Sequence, residues 1–183
     1  MEGHFFFEFK NYIYLTSEQH EEILEARNHL EVRCWMDNTC LIEHKEHYEF
    51  VNSLKTSSQT VYFAAYKDNT YCGSISLVGL GTSKVYYGYF SSPNFFGTRN
   101  GIRLYYYGLS FLVSNFNFPY IFGKIYKTNK RSIKLGLKFG FTSIIETEDF
   151  IEISRPTSSW PLNLTEKQMY KLLLENKMIE GSW

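Results

Sequence analysis

The sequence has little proline, little cysteine and no surplus of charge, and each shortage rules something out. Four prolines in 183 residues leave no proline-rich linker or polyproline segment. Three cysteines, Cys34, Cys40 and Cys72, are odd in number and follow no framework spacing. A disulfide scaffold is therefore excluded and a reducing cytoplasm is the expected setting. Lys plus Arg and Asp plus Glu number 19 each, for a formal charge of zero. Such a balance offers no basic field to drive binding to a nucleic-acid backbone. No run of about eighteen apolar residues occurs, so no membrane span is expected. The opening MEGHFFFEFK carries an acid at Glu2 and a three-residue apolar run, which does not fit a signal peptide.

Aromatic residues, by contrast, are plentiful. Tyr and Phe number 15 and 16, and aromatics make up 19% of the chain. That is rich for a core and leaves rings to line a cavity. The length suits one core and is short for two domains.

The order of elements predicts an α+β chain. Phe5 to Leu15 reads as a first strand by its partial alternation. Thr16 and Gln19 have capping-box spacing ahead of a helix carrying Ile23, Leu24, Arg27 and Leu30 at helical period. A second helix is expected from Glu43 to Leu54. TVYFAAY, the turn KDNT and YCGSISLVGL read as a hairpin, with KVYYGYFS as its third strand. The Gly- and Asn-rich SPNFFGTRNG then leads into a helix from about Ile102 to Phe116. PYIFGKIY reads as a strand, NKRSIKLGLKF as a helix, and GFTSIIE and FIEISR as two more strands. The expected division is a domain over 1–155 and a helical tail over 156–183. The tail carries a Thr165/Gln168 capping box and a Met169, Leu172, Leu173 stripe, and docks on the domain or on a second copy in a homodimer.

Two constellations carry no chemistry. Cys34, Cys40, His44 and His47 are of ligand type, but their spacing is not that of a zinc site, so no metal is expected. Ser74 and Ser76 lack a His–acid pair in suitable context, which argues against a hydrolase triad.

The loop before Ile102 is the first candidate for chemistry. A Gly-rich turn feeding a helix offers backbone N–H groups and the positive helix end to an anion, and Arg99, Asn100, Gly101 and Arg103 suit a pyrophosphate. The alternative is a turn that needs glycine for its backbone angles alone.

With these residues in place, the chain resembles the GNAT acetyltransferase superfamily. The loop pattern Gln/Arg-x-x-Gly-x-Gly/Ala falls on FGTRNG, with Phe96 and Arg99 departing and Gly101 kept. The block NKRSIKLGLKFGF is similar to Asn-x-x-Ala-x-x-x-Tyr-x-x-x-Gly-Phe, matching in kind at Asn129, Ser132, Gly140 and Phe141. Gly136 stands where the family has a tyrosine that protonates the leaving thiolate. The resemblance implies a mixed, mostly antiparallel sheet flanked by helices, with a splayed central strand pair. It implies acetyl-CoA bound by the backbone of Tyr89, Phe90 and Ser91, by the loop Phe96, Gly97, Thr98, Arg99, Asn100, Gly101 and Ile102, and by Asn129. Tyr87, Tyr89 or a water would take over the role of the missing tyrosine, and His47 or Ser76 would help remove the amine's proton.

ILEARNHLEVRCWM, EHYEFVNSL, YFAAYKDNTYCGSISL and YYGYFSSP narrow the likeness from about Ile23 to Phe141. They resemble the branch that acetylates the 4-amino group of a UDP-linked amino-dideoxy-altrose on the way to pseudaminic acid, a sugar placed on bacterial flagellin. In that reading Trp35 and Met36 offer an apolar face to a uracil or a deoxy-sugar methyl. Arg27 grips phosphate or hydroxyl, and His47 and Ser74 complete the acceptor site. The alternative for Arg27, Trp35 and Met36 is packing and helix capping. Two other functions stay open: N-terminal protein acetylation on the same fold, and a degenerate module that binds a nucleotide-sugar without turnover.

Overall fold

The structure is a computed structural model that describes residues 6–176. Phe5 of the expected first strand and residues 177–183 of the expected tail lie outside the described residues. Seven strands form one sheet in the order β1-β2-β3-β4-β5-β7-β6. They are β1 (Glu8–Asn11), β2 (Thr60–Lys67), β3 (Thr70–Val78), β4 (Val85–Ser91), β5 (Tyr120–Tyr126), β6 (Thr142–Glu146) and β7 (Phe150–Pro156). All pairings are antiparallel except β4 with β5.

The first strand is shorter than its aromatic run. After Asn11 the chain tightens into a single turn over Tyr12–Tyr14, capped by the Asn11 side chain. In that turn the Tyr12 hydroxyl donates to buried Ser74 Oγ, 2.5 Å away. The capping boxes at Thr16/Gln19 and Thr165/Gln168 both form, starting α1 (Ser17–Asn28) and α6 (Glu166–Glu175). Between α1 and α3 (His44–Leu54) lies a four-residue helix, α2 (Leu30–Arg33), capped by His29. It is too short to show a hydrophobic period.

Strand alternation sends side chains to two separate cores. Phe63, Ala65, Ile75, Leu77, Val85 and Tyr87 point to one face, where α4 (Asn100–Asn115), α5 (Lys130–Lys138) and α6 cover them. Leu104, Leu109 and Leu112 of α4 are wholly buried there, and each such side chain contributes about 1.5–3 kcal/mol. Ala64, Tyr66 and Tyr71 point to the other face, under Ile23 and Ala26 of α1 and Val51 and Leu54 of α3. The chain after β7 belongs to the first core: Trp160 is buried among Tyr105, Tyr106, Phe139 and Phe141, and Met169 and Leu173 are buried with it. The tail stripe therefore packs on its own domain. Among the described residues no helix is long and apolar enough to cross a membrane.

Candidate active site

The sheet comes apart at its one parallel pair. β4 and β5 are paired only at Val85–Ile121 and Tyr86–Phe122, and beyond that point the two strands diverge. The backbone of β4 past Tyr86 is thus bonded on one side only. Its direction follows from one contact, the Ser92 N–H donating to Cys72 O. Antiparallel alternation then turns the N–H groups of Gly88 and Phe90 toward β3, and those of Tyr87, Tyr89 and Ser91 toward the gap. Of the three backbone positions expected to meet a ligand, Phe90 is corrected: its N–H faces β3, and its side chain packs against the α1 core.

At the top of β4 the loop over residues 96–99 delivers the chain to α4. Gly97 has φ 75, a left-handed conformation that glycine adopts without cost. α4 starts with no side-chain cap, and a Cβ on Gly101 would meet nothing within 4 Å. The helix end therefore presents donors to open space. Asn100 does not join them. It is buried, and its Nδ2 donates to Cys72 O at 2.9 Å and Ser91 Oγ at 2.7 Å, bracing the loop onto the sheet. Thr98 Oγ1 donates to Phe95 O and accepts from the Asn100 N–H, so it too shapes the loop. Phe96 is exposed and meets the His29 ring edge-on at 6.1 Å, joining the loop to the α1–α2 elbow. Asn129 caps α5, its Oδ1 accepting from the Ser132 N–H.

Tyrosines fill the gap on the α4 side. Tyr87 is a core residue: its hydroxyl donates to Leu104 O and Tyr105 O at 3.3 Å, and burial pushes its pKa well above the ordinary value. Tyr87 is corrected from catalytic candidate to packing residue. Tyr89, two residues on, is half-buried. Among the described residues its hydroxyl meets only Ser132 Oγ, at 3.5 Å, and burial raises its pKa, so it stays protonated near neutrality. Its ring stands at 90° on that of Tyr105, 5.1 Å away. Tyr105 in turn occupies space left by Gly136: a Cβ there would lie 3.6 Å from the Tyr105 hydroxyl and 2.5 Å from Ile153 Cδ1. A tyrosine at 136 would have to push Ile153 aside and would pack against the Tyr105 hydroxyl.

The opposite mouth of the gap is polar. The loop after α2, carrying exposed Trp35 and half-buried Met36, arches from α1 to β5. Asn28 ties its return by two 2.8 Å bonds to the Ile42 backbone. Asp37 receives Lys124 Nζ at 3.0 Å and the Tyr126 hydroxyl at 3.1 Å, and the Lys124 contact, with Tyr126, holds its pKa below the usual range. Buried Glu152 receives Lys84 Nζ and the Tyr86 hydroxyl, each at 2.5 Å. Burial alone would raise its pKa, but these two partners outweigh it and the pKa is lowered. Arg27 donates through Nη2 to Asn38 O at 2.7 Å, while its Nη1 and the Nε of neighbouring Arg33 are buried without a partner among the described residues. Ser76 is buried on this face beside Tyr62 and beneath Gly88, where a Cβ would come within 2.5 Å of its hydroxyl.

Two expected residues are elsewhere. Ser74 is buried between the hydroxyls of Tyr12 and Tyr71, at 2.5 and 2.6 Å, with no free face for a substrate. His47 is buried between α1 and α3, its Nε2 3.1 Å from His20 Nδ1. Burial, and then His20, lowers its pKa to about 4. Both are corrected to structural residues: Ser74 Oγ is taken up by two tyrosine hydroxyls, and His47 is buried with its Nε2 against His20. Asp37, Tyr86, Lys124, Tyr126 and Glu152 were not anticipated. The alternation Phe122, Lys124, Tyr126 against Ile121, Ile125 marks a polar face of β5 and was the available signal. No group of three or more metal-binding side chains occurs among the described residues.

No family model matches the chain. An acetyltransferase named PseH from Campylobacter jejuni is 28% identical over 144 residues, which is 79% of this chain and 90% of the relative. The crystal structure of the C. jejuni N-acetyltransferase PseH has the same fold, with TM-score 0.68 and 24% identity over 82% of this chain and 98% of that one. The crystal structure of that enzyme in complex with acetyl coenzyme A superposes with TM-score 0.67, at 23% identity over 82% of this chain and 98% of that one. A structure described as a nucleotide-linked sugar GNAT, apo FdhC, superposes with TM-score 0.69 at 15% identity, over 85% of this chain and 89% of that one. With a splayed strand pair at the centre of its sheet, the chain has the fold of these N-acetyltransferases and is similar in sequence to PseH.

Proposed function

We infer that the protein transfers acetyl from acetyl-CoA to the amine of a nucleotide-linked amino-sugar, in the making of pseudaminic acid. The observation that carries this is the gap between β4 and β5, backbone donors on one side and a polar mouth on the other, in a chain related to PseH. The residues present fit the donor. The unpaired edge of β4 offers N–H groups to an amide-containing arm, and the uncapped α4 offers them to phosphate. The polar mouth fits the acceptor: Lys124 and Tyr126 on β5 offer polar groups to a sugar, and exposed Trp35 a flat face to a base.

Bound acetyl-CoA supplies an acetyl thioester activated toward amines. The Tyr89 and Ser91 N–H groups polarise its carbonyl, and preorganised donors of this kind contribute about 3–4 kcal/mol each. The Tyr89 hydroxyl holds the proton that the leaving sulfur takes up, replacing the tyrosine that Gly136 excludes. Ser76, buried beside Tyr62 on the acceptor face, passes the amine's proton toward solvent. The product belongs to the cytoplasm, where acetyl-CoA is made, and to a sugar placed on flagellin.

The test is thiol release from acetyl-CoA with UDP-4-amino-4,6-dideoxy-sugars beside N-terminal peptides and polyamines. Turnover with the nucleotide-sugars alone supports the reading. Turnover confined to peptides or polyamines, or none with any acceptor, rejects it.

A further inference from the structure

We propose that the C-terminal helix α6 is part of the donor site, where Tyr170 positions Arg99 for a phosphate group of the donor. This rests on the reading that the loop 96–102 takes the donor's phosphates. The two arginines at the start of α4 are held by the same helix in opposite ways. Arg103 is spent: its Nε and Nη2 donate to Glu166 Oε1 at 3.0 and 2.6 Å, and its guanidinium also lies over the Phe6 ring. Arg99 is not. Its guanidinium lies 4.8 Å from the centroid of the Tyr170 ring, and among the described residues its N–H groups form no hydrogen bond or ion pair. Stacking uses the flat face of a guanidinium and leaves its edge donors free, the arrangement that binds a phosphate through two parallel bonds.

Tyr170 is itself well anchored. Its helix is fixed by the Thr165/Gln168 capping box, by buried Met169 and Leu173, and by Asn176 Nδ2 donating to Lys138 O of α5 at 2.7 Å. The ring is therefore a rigid platform, while Arg99 sits at the cap position of α4, two residues from Gly101 and its open space. An exposed arginine on a flexible stem loses side-chain entropy when it grips an anion. A platform that orients it beforehand removes part of that cost.

The test is calorimetric binding of CoA, which reads the site without turnover. Arg99→Ala should weaken CoA about tenfold, the loss of one charge-assisted contact. Tyr170→Leu should weaken it about two- to fivefold, and Tyr170→Phe, which keeps the ring, should bind as wild type. In the Arg99→Ala background Tyr170→Leu should cost nothing further, because its partner is gone. Dephospho-CoA separates the sources: a penalty that persists assigns Arg99 to the pyrophosphate, and one that vanishes assigns it to the 3′-phosphate. If Tyr170→Leu does not fold, Arg99→Lys keeps the charge, removes the stacking and should show the same loss. A Tyr170→Leu penalty that is absent, or unchanged without Arg99, or wild-type binding by Arg99→Lys, overturns the proposal. If Arg99→Ala itself binds CoA as wild type, the loop reading fails first.

Discussion

The two mouths of the gap between β4 and β5 are built by different means. On the α4 side, backbone N–H groups and stacked tyrosines do the work, with Tyr87, Tyr89 and Tyr105 within 6 Å of one another by ring centroid. On the α1 side, charged pairs brought together from distant segments do it, as in Asp37–Lys124 and Lys84–Glu152. A backbone site tolerates substitution and survives as loop and strand order, whereas a side-chain site is remade whenever one residue changes. Even within one strand the contrast is sharp: Tyr87 is locked under α4, and Tyr89 faces the gap almost unbonded.

The largest effect expected is on Tyr89. Tyr89→Phe should lower kcat about a hundredfold, the low end for a positioned general acid because a thiolate leaves readily. Tyr87→Phe should leave kcat within about threefold and instead lower the melting temperature, having orphaned no charged group. Equal losses of kcat in both variants would erase the distinction between the two tyrosines.

Gly136→Tyr comes next. Its Cβ alone would approach Ile153 Cδ1 to 2.5 Å. The variant should therefore lose about 1–3 kcal/mol of stability by overpacking, read by denaturant unfolding. No gain in turnover is expected, and a stable, faster variant would show that the proton donor belongs on α5 after all.

On the polar mouth, Asp37→Ala should raise the KM for the acceptor and leave CoA affinity unchanged. Stability should change by less than about 1 kcal/mol, since Asp37 is exposed. A loss of CoA affinity instead would merge the two mouths into one site.

The smallest effect is on pH dependence. The His47 pKa is lowered to about 4 in the fold from an ordinary value near 6.5. The unfolded chain therefore binds the extra proton between those values, so stability is full above pH 6.5 and declines as pH falls toward 4. His47→Gln should flatten that decline in a melting series, while acceptor KM stays near wild type. A large KM rise would return His47 to the acceptor site.

Much of the fold was legible in local signals. Capping boxes at Thr16 and Thr165, the turn at Asp68–Asn69 and the strand–Gly loop–helix order all act over a few residues, and all form. The early end of the first strand brings Tyr12 to a partner 62 residues away, a contact no window of neighbours reveals. The candidate site divides the same way. The loop at 96–102 was visible as composition, but the roles of Asn100, Ser74 and His47 depended on partners at Cys72, Tyr12 and His20. Polar residues of suitable type were read as ligand-facing, and burial had already assigned them to one another. Glu152 was missed for the complementary reason, since a lone acid in FIEISR carries no mark of the Lys84 and Tyr86 that meet it.

A crystal structure of the protein with acetyl-CoA tests the central claim most directly. The donor's amide arm should lie along β4 between the diverging strands, its carbonyl oxygen within hydrogen-bond reach of the Tyr89 or Ser91 N–H, its sulfur beside the Tyr89 hydroxyl and its phosphates at residues 96–102. A cofactor bound outside the gap, or an arm running on the β3 side of β4, would contradict the account.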